Sequence, residues 1–421
     1  MNTIEKWLKN SSASQTLVSK FWNINTAFIF LITISALGWQ GFTASLVSIR
    51  EGCGNDGGHY CAMAGTSPLP NFPNTPYSQR VLLPLLVKFI FQPTEIIETI
   101  SAFALLNSIF IAVSALLIYL IINKSSNRSN LFLPIIGSCL FLLQPFSFRL
   151  TLTYPVLVDL LTLVFILSII YLISLNNKIS NIVAIICGFL LVLTRLHLGV
   201  IALFLLIIFA NNLRQRKLVT YIGSIIAIVL GIYIAFSQKY YGYSNPDYIE
   251  MIKIDFLSPL TDMNFLGRQL LLIFGGLGIY SVFIVFYFKQ IKQKFIFKFM
   301  MTFAILNMGA SLTFGAGGDT DRYFTLSGIL ILITLFSILS ESKSNNYWLA
   351  PAIYSTIFLW EPFMYKFEDE LRFEFMFARR WTEPAIVLER SSNVIIISLI
   401  LLVIALFLKF KTKLRLDFNQ L

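Results

Sequence analysis

The sequence is short of charge. Only 13% of its 421 residues are Asp, Glu, Lys or Arg, where an average soluble protein carries about 25%. Hydrophobic residues make up 57%, more than one aqueous core can hide, so an ordinary soluble protein is excluded. No polar stretch is long enough to form a soluble domain, and no internal repeat or low-complexity tract is visible. A cleavable leader is not expected either. The first 25 residues are polar and basic, and no small-residue cleavage site precedes Arg50. The first apolar segment is therefore expected to stay as a signal anchor. What remains is an all-α integral membrane protein forming one domain over 1–421.

Apolar runs long enough to span lie near Ala27–Ile49, Ile96–Asn123, Thr151–Leu175, Leu218–Ser237, Gln269–Phe288, Phe299–Ala316, Phe324–Leu339, Tyr347–Phe363 and Val394–Leu408. Leu131–Phe148, Ile179–Thr194 and Leu196–Ala210 are short against the roughly 20 residues of a straight span. Short spans need shelter from neighbouring protein. Together these runs predict a bundle of about 12 transmembrane helices.

Charge orders the layout. With the N-terminus inside, the inner segments are 1–25, 123–130, 176–180, 211–217, 289–298, 341–346 and 409–421. They hold 18 of the 32 Lys+Arg but 3 of the 21 acids, leaving 14 basic and 18 acidic residues elsewhere. This bias predicts a cytoplasmic head (1–25), a cytoplasmic tail (409–421) and an integral protein of a bacterial inner or plasma membrane. The net charge of +11 then reports topology, with no nucleic-acid partner. The basic types are sorted too. Inner segments carry 14 Lys and 4 Arg; the remainder carries 4 Lys and 10 Arg. Arg suits planar phosphate recognition, while Lys serves as a simple topogenic charge. Chance with salt bridges to outer acids is one account. An outward-facing site for a phosphorylated substrate is the other.

Three outer loops follow, 50–95, 238–267 and 364–392. In the first, Gly57-Gly58 and Pro68, Pro70, Pro73 and Pro76 mark a shaped, non-repetitive segment. Val81–Phe91 is too short to span and reads as an interfacial helix, with Arg80 and Lys88 reaching toward headgroups. Asp56 is a candidate general base, or a metal holder, or simply a turn former before two glycines. His59 can bind substrate, pair with Asp56 or ligate a metal, although a loop His is more often solvated. For Cys53 and Cys61 a disulfide is favoured over zinc, since Cys53, Asp56, His59 and Cys61 fit no standard ligand spacing. Cys139 and Cys187 read as buried thiols.

In Asp319-Thr320-Asp321-Arg322-Tyr323 a helix start points outward. There Asp321 is a candidate cap, Arg322 a phosphate ligand and Tyr323 an interface aromatic. Asp159 is expected a turn or two inside its span, and Arg195 and His197 fall between two short apolar runs. Charges at membrane depth are costly and face a cavity or one another. An Asp159–Arg195 link or a shared cavity below the first loop follows. The last loop, with Glu361, Glu368-Asp369-Glu370 and Arg379-Arg380-Trp381, reads as a solvated amphipathic helix.

Asp56-Gly57-Gly58-His59-Tyr60 and Tyr77-Ser78-Gln79-Arg80-Val81-Leu82-Leu83-Pro84 resemble the D-x-x-x-Y and Y-x-x-R-x-L-x-P patterns of bacterial members of the GT-C superfamily of membrane glycosyltransferases. Thr194-Arg195-Leu196-His197 and Asp321-Arg322-Tyr323 are similar to further segments of that group. Many members carry an acid after the basic residue, where Leu196 and His197 stand here. The resemblance implies Asp56 as catalytic base. It implies sugar transfer from a polyprenyl-phosphate-linked donor to a glycan, lipid or protein acceptor at the outer face. His59, Tyr60, Tyr77, Arg80, Asp159, Arg195, His197, Asp321, Arg322 and Tyr323 are the candidate substrate-binding residues. No cofactor is required by this scheme, and a divalent cation near the carboxylates stays open. The alternatives are a secondary transporter or flippase of lipid-linked glycans, and a glycan polymerase or ligase.

Overall fold

Short connections set the direction of several helices, and a capping box starts one of them. The computed structural model describes residues 33, 53, 56–65, 80–125, 132–142, 158–212, 217–237, 284, 287–314 and 320–341. All regular structure among them is helical: α1 (Asp56–Ala64), α2 (Leu82–Phe91), α3 (Ile96–Ser125), α4 (Phe132–Leu142), α5 (Asp159–Leu175), α6 (Lys178–Thr194), α7 (Leu196–Ile208), a 3-10 turn (Ala210–Asn212), α8 (Lys217–Ser237), α9 (Phe288–Gln293), α10 (Phe295–Phe314) and α11 (Thr320–Glu341). Three of them, α3, α8 over 217–234 and α11 over 324–341, are long and apolar enough to cross a membrane. The apolar runs at Tyr347–Phe363 and Val394–Leu408 lie outside the described residues. So do those at Ala27–Ile49 and Gln269–Phe288, apart from Thr33, Ile284, Tyr287 and Phe288, and so do the loops 238–267 and 364–392.

The turn between α5 and α6 shows the local logic. Asn176 takes a left-handed conformation (φ 50°) that stops α5, and Asn177 caps α6 reciprocally with Ser180. Asn tolerates the first geometry and is a strong N-cap for the second. The two helices are thus antiparallel. The next turn is tighter still. Arg195 alone, in extended conformation, ends α6 and starts α7; its N–H donates to the Leu191 carbonyl at 2.7 Å and its carbonyl accepts from Gly199 at 3.1 Å. α7 then folds back along α6, with Gly188 opposite Leu203 and Gly199 opposite Val192. Gly231 of α8 fits against the same Val192. Small residues at such crossings let backbones approach closely, which is how helices associate where burial from water gives no drive.

Among the described residues α11 is the most buried of the three long helices. Within 324–341, 94% of its residues are buried, against 22% for the span in α8. It packs on α3, α4 and α10. Ser327 ties it to α10: Asn307 donates to the Ser327 hydroxyl at 2.8 Å, and Ser327 donates to the Ala304 carbonyl at 3.0 Å. α8 instead turns Leu218, Ile222, Ile225, Ile226, Val229 and Tyr233 outward, a surface that only lipid or another apolar face suits.

The basic turns gather at one end of this bundle. Lys124 of α3 donates to the Ser174 carbonyl near the end of α5. The Phe209 ring lies 5.6 Å from that of Phe295, and Lys294 pairs with Glu341. Ile122 and Phe336 both border Gly137, so the C-terminal ends of α3 and α11 share that end. At the opposite end a second, smaller core joins α1 and α2 to the starts of α3 and α5 through Tyr60, Met63, Leu83, Val87, Phe103, Val158 and Leu161.

Candidate functional site

That small core builds the site. The segment with Gly57-Gly58 is helical as α1, contrary to the irregular loop expected from its glycines. Two glycines cost a helix about 1 kcal/mol each relative to alanine. Burial of Tyr60, Cys61, Met63 and Ala64 opposes that cost. So does a disulfide from Cys53 to Cys61, whose Cα atoms lie 6.1 Å apart. The disulfide occupies both sulfurs, which removes them from any zinc site. His59, expected in solvent, is buried beside Tyr60 because α1 turns this face onto the core.

Tyr60 fixes the first cation. Its hydroxyl accepts a hydrogen bond at 3.1 Å from Nη1 of Arg80, the residue that leads into α2. The second cation comes from the α6–α7 bend, where Arg195, 2% exposed, forms an ion pair with Asp159. Asp159 is the first residue of α5, so it does not lie a turn or two inside the helix as the apolar run suggested. Its carboxylate stands at the positive end of the helix and beside Arg195. His197, two residues beyond the bend and half-buried, completes the group. Arg80 and Arg195 both stand close enough to His197 for their charges to act on it.

The structure therefore brings Tyr60, Arg80, Asp159, Arg195 and His197 together at the end of the bundle opposite the lysine turns, and buries His59. Asp56 is the first residue of α1. Asp321, Arg322 and Tyr323 fall in the first turn of α11, which begins at Thr320, so Asp321 lies past the capping position. The side chains of these four are outside the described residues, as is Tyr77. Two cations, an imidazole and a phenol at one helix-lined end form a setting for an anionic group. The one carboxylate described there is already engaged by Arg195.

One structural residue escaped the sequence reading. A Cβ on Gly199 would stand 2.3 Å from the Val192 nitrogen and 2.5 Å from its Cα. Backbone cannot move aside as a side chain can. Gly199→Ala is therefore expected to open the α6–α7 hairpin and cost about 1–3 kcal/mol, read as an earlier thermal transition of the purified protein. Its only sequence signal is a glycine four residues after Arg195 in a short apolar helix.

Compared with protein-family models, with curated proteins and with solved structures, this chain matches none.

Proposed function

We propose that the chain is a membrane glycosyltransferase resembling the GT-C superfamily. It would move a sugar from a polyprenyl-phosphate-linked donor to an acceptor at the extracytoplasmic face. The observation that carries this reading is the convergence of Arg80, Arg195 and His197 at the end of the bundle opposite the lysine turns. The positive-inside rule assigns the lysine end to the cytoplasm, with both termini there and about 12 spans in a bacterial inner or plasma membrane.

A lipid-linked donor keeps its tail in the bilayer and its phosphate at the surface, where half-buried Arg80 would meet it, with buried Arg195 behind. Asp56 takes the proton from the acceptor hydroxyl, and the acceptor oxygen attacks the anomeric carbon. The bond from that carbon to the phosphate oxygen breaks, and the electron pair leaves on polyprenyl phosphate. Guanidinium groups that neutralise this oxygen lower the barrier most as charge develops on it. Tyr60 serves by holding Arg80 in place.

A second reading has one observation in its favour. The Asp159–Arg195 pair sits at a helix break between short spans, as in secondary transporters. Profiling of envelope glycans and glycolipids in a deletion strain separates the two. Sugar transfer predicts one glycan lacking a single residue, restored by the wild-type chain. An unchanged glycan profile, together with gradient-dependent uptake, would replace the enzyme with the transporter.

A further inference from the structure

The lysine end holds a structured patch. α9 is a six-residue helix whose Ile291 is buried against the bundle, while Phe288, Lys289 and Lys292 face outward. Phe288 is 59% exposed, and the Lys292 ammonium lies 4.4 Å from the centre of its ring. Phe288 and Lys292 are i, i+4 neighbours, and Lys289 borders them at i−3 from Lys292. No acidic residue occurs over 287–298. The nearby Glu341 is engaged by Lys294, so it does not offset these charges.

An exposed ring with an ammonium above it matches a particular partner. The ring prefers acyl chains, and the ammonium prefers the phosphate just outside them. We infer that Phe288, Lys289 and Lys292 bind the headgroup region of an anionic glycerophospholipid, with the phosphate between the two ammonium groups and the ring in the acyl layer beneath it. This rests on the membrane topology proposed above and is independent of sugar transfer, so failure of either leaves the other standing.

Phosphatidylglycerol is the probe. Delipidated full-length protein in neutral detergent is titrated with it, and bound lipid is counted by native mass spectrometry. Lysines near an anionic surface each contribute a factor of about five in affinity, so Lys289→Gln with Lys292→Gln should weaken binding about thirtyfold. Lys178→Gln with Lys217→Gln removes the same charge at the same end, away from Phe288, and should weaken it far less. Phe288→Ser should also lower binding while the salt dependence is retained. Equal losses from the two lysine pairs would mean a diffuse field without a site. Phosphatidylcholine binding as tight as phosphatidylglycerol would overturn the headgroup assignment. All the substituted side chains are exposed, and an unchanged thermal transition confirms that folding is intact.

Discussion

Asp159→Ala is expected to destabilise the protein by about 3–5 kcal/mol, because it removes the carboxylate paired with a buried guanidinium. Arg195 is 2% exposed and its partner 27%, so water cannot take over the role of the carboxylate. The loss should appear as a large drop in the thermal transition of detergent-solubilised protein. The pair also closes the structure, tying the start of α5 to the bend between α6 and α7. Replacing both residues, Asp159→Leu with Arg195→Leu, should recover much of the stability, since buried ion pairs exchanged for apolar side chains are often neutral or better. Activity should not recover with it, because the second cation of the site has gone. A single Asp159→Ala variant that melts like wild type would show that the ion pair does not hold this corner.

Asp56→Asn should reduce sugar transfer by a factor of about 10²–10⁴, the usual contribution of a positioned general base. Asn and Asp are nearly equivalent at helix starts, so α1 and its disulfide should form normally in the variant. Expression at equal levels in the deletion strain, with membrane insertion checked by fractionation, isolates the chemical effect. The glycan defect should persist. Full complementation would show that Asp56 is dispensable, and the proton acceptor would then have to be sought around Asp159, Arg195 and Arg322.

Much of the helical layout was legible in the sequence. The apolar run Ile96–Asn123 becomes α3 and ends two residues later, at Ser125. The break at Arg195 separates two short helices, α6 and α7, where a charge interrupts the apolar pattern. The Asp159–Arg195 link was also legible, since two opposite charges at membrane depth have few other stable arrangements. What local pattern could not supply was contact across the chain. Gly57-Gly58 signalled a turn because their propensity is local, whereas the helix there is held by the disulfide and by Tyr60 and Met63 packed on α3 and α5. His59 read as solvated for the same reason. The approach of Arg80 to His197 spans more than a hundred residues. It depends on α2 packing against α3 and α6, which no spacing in the sequence encodes.

The position of α11 bears on how the protein is assembled. Chains are made from the N-terminus, yet the most buried of the three long helices is the last one described, roughly 200 residues after the α3 surface it covers. Until it emerges from the ribosome, α3 and α4 lack that neighbour; in the folded chain the two are joined directly by the Ser138 hydroxyl, which donates to the Ala115 carbonyl at 3.0 Å. α11 buries the hydroxyls of Thr325, Ser327, Thr334, Ser337 and Ser340, and Ser327 finds its partners on α10. A chain that stops before Thr320 is therefore expected to leave the α11-facing sides of α3 and α4 uncovered, which limited proteolysis of such a truncated chain would read.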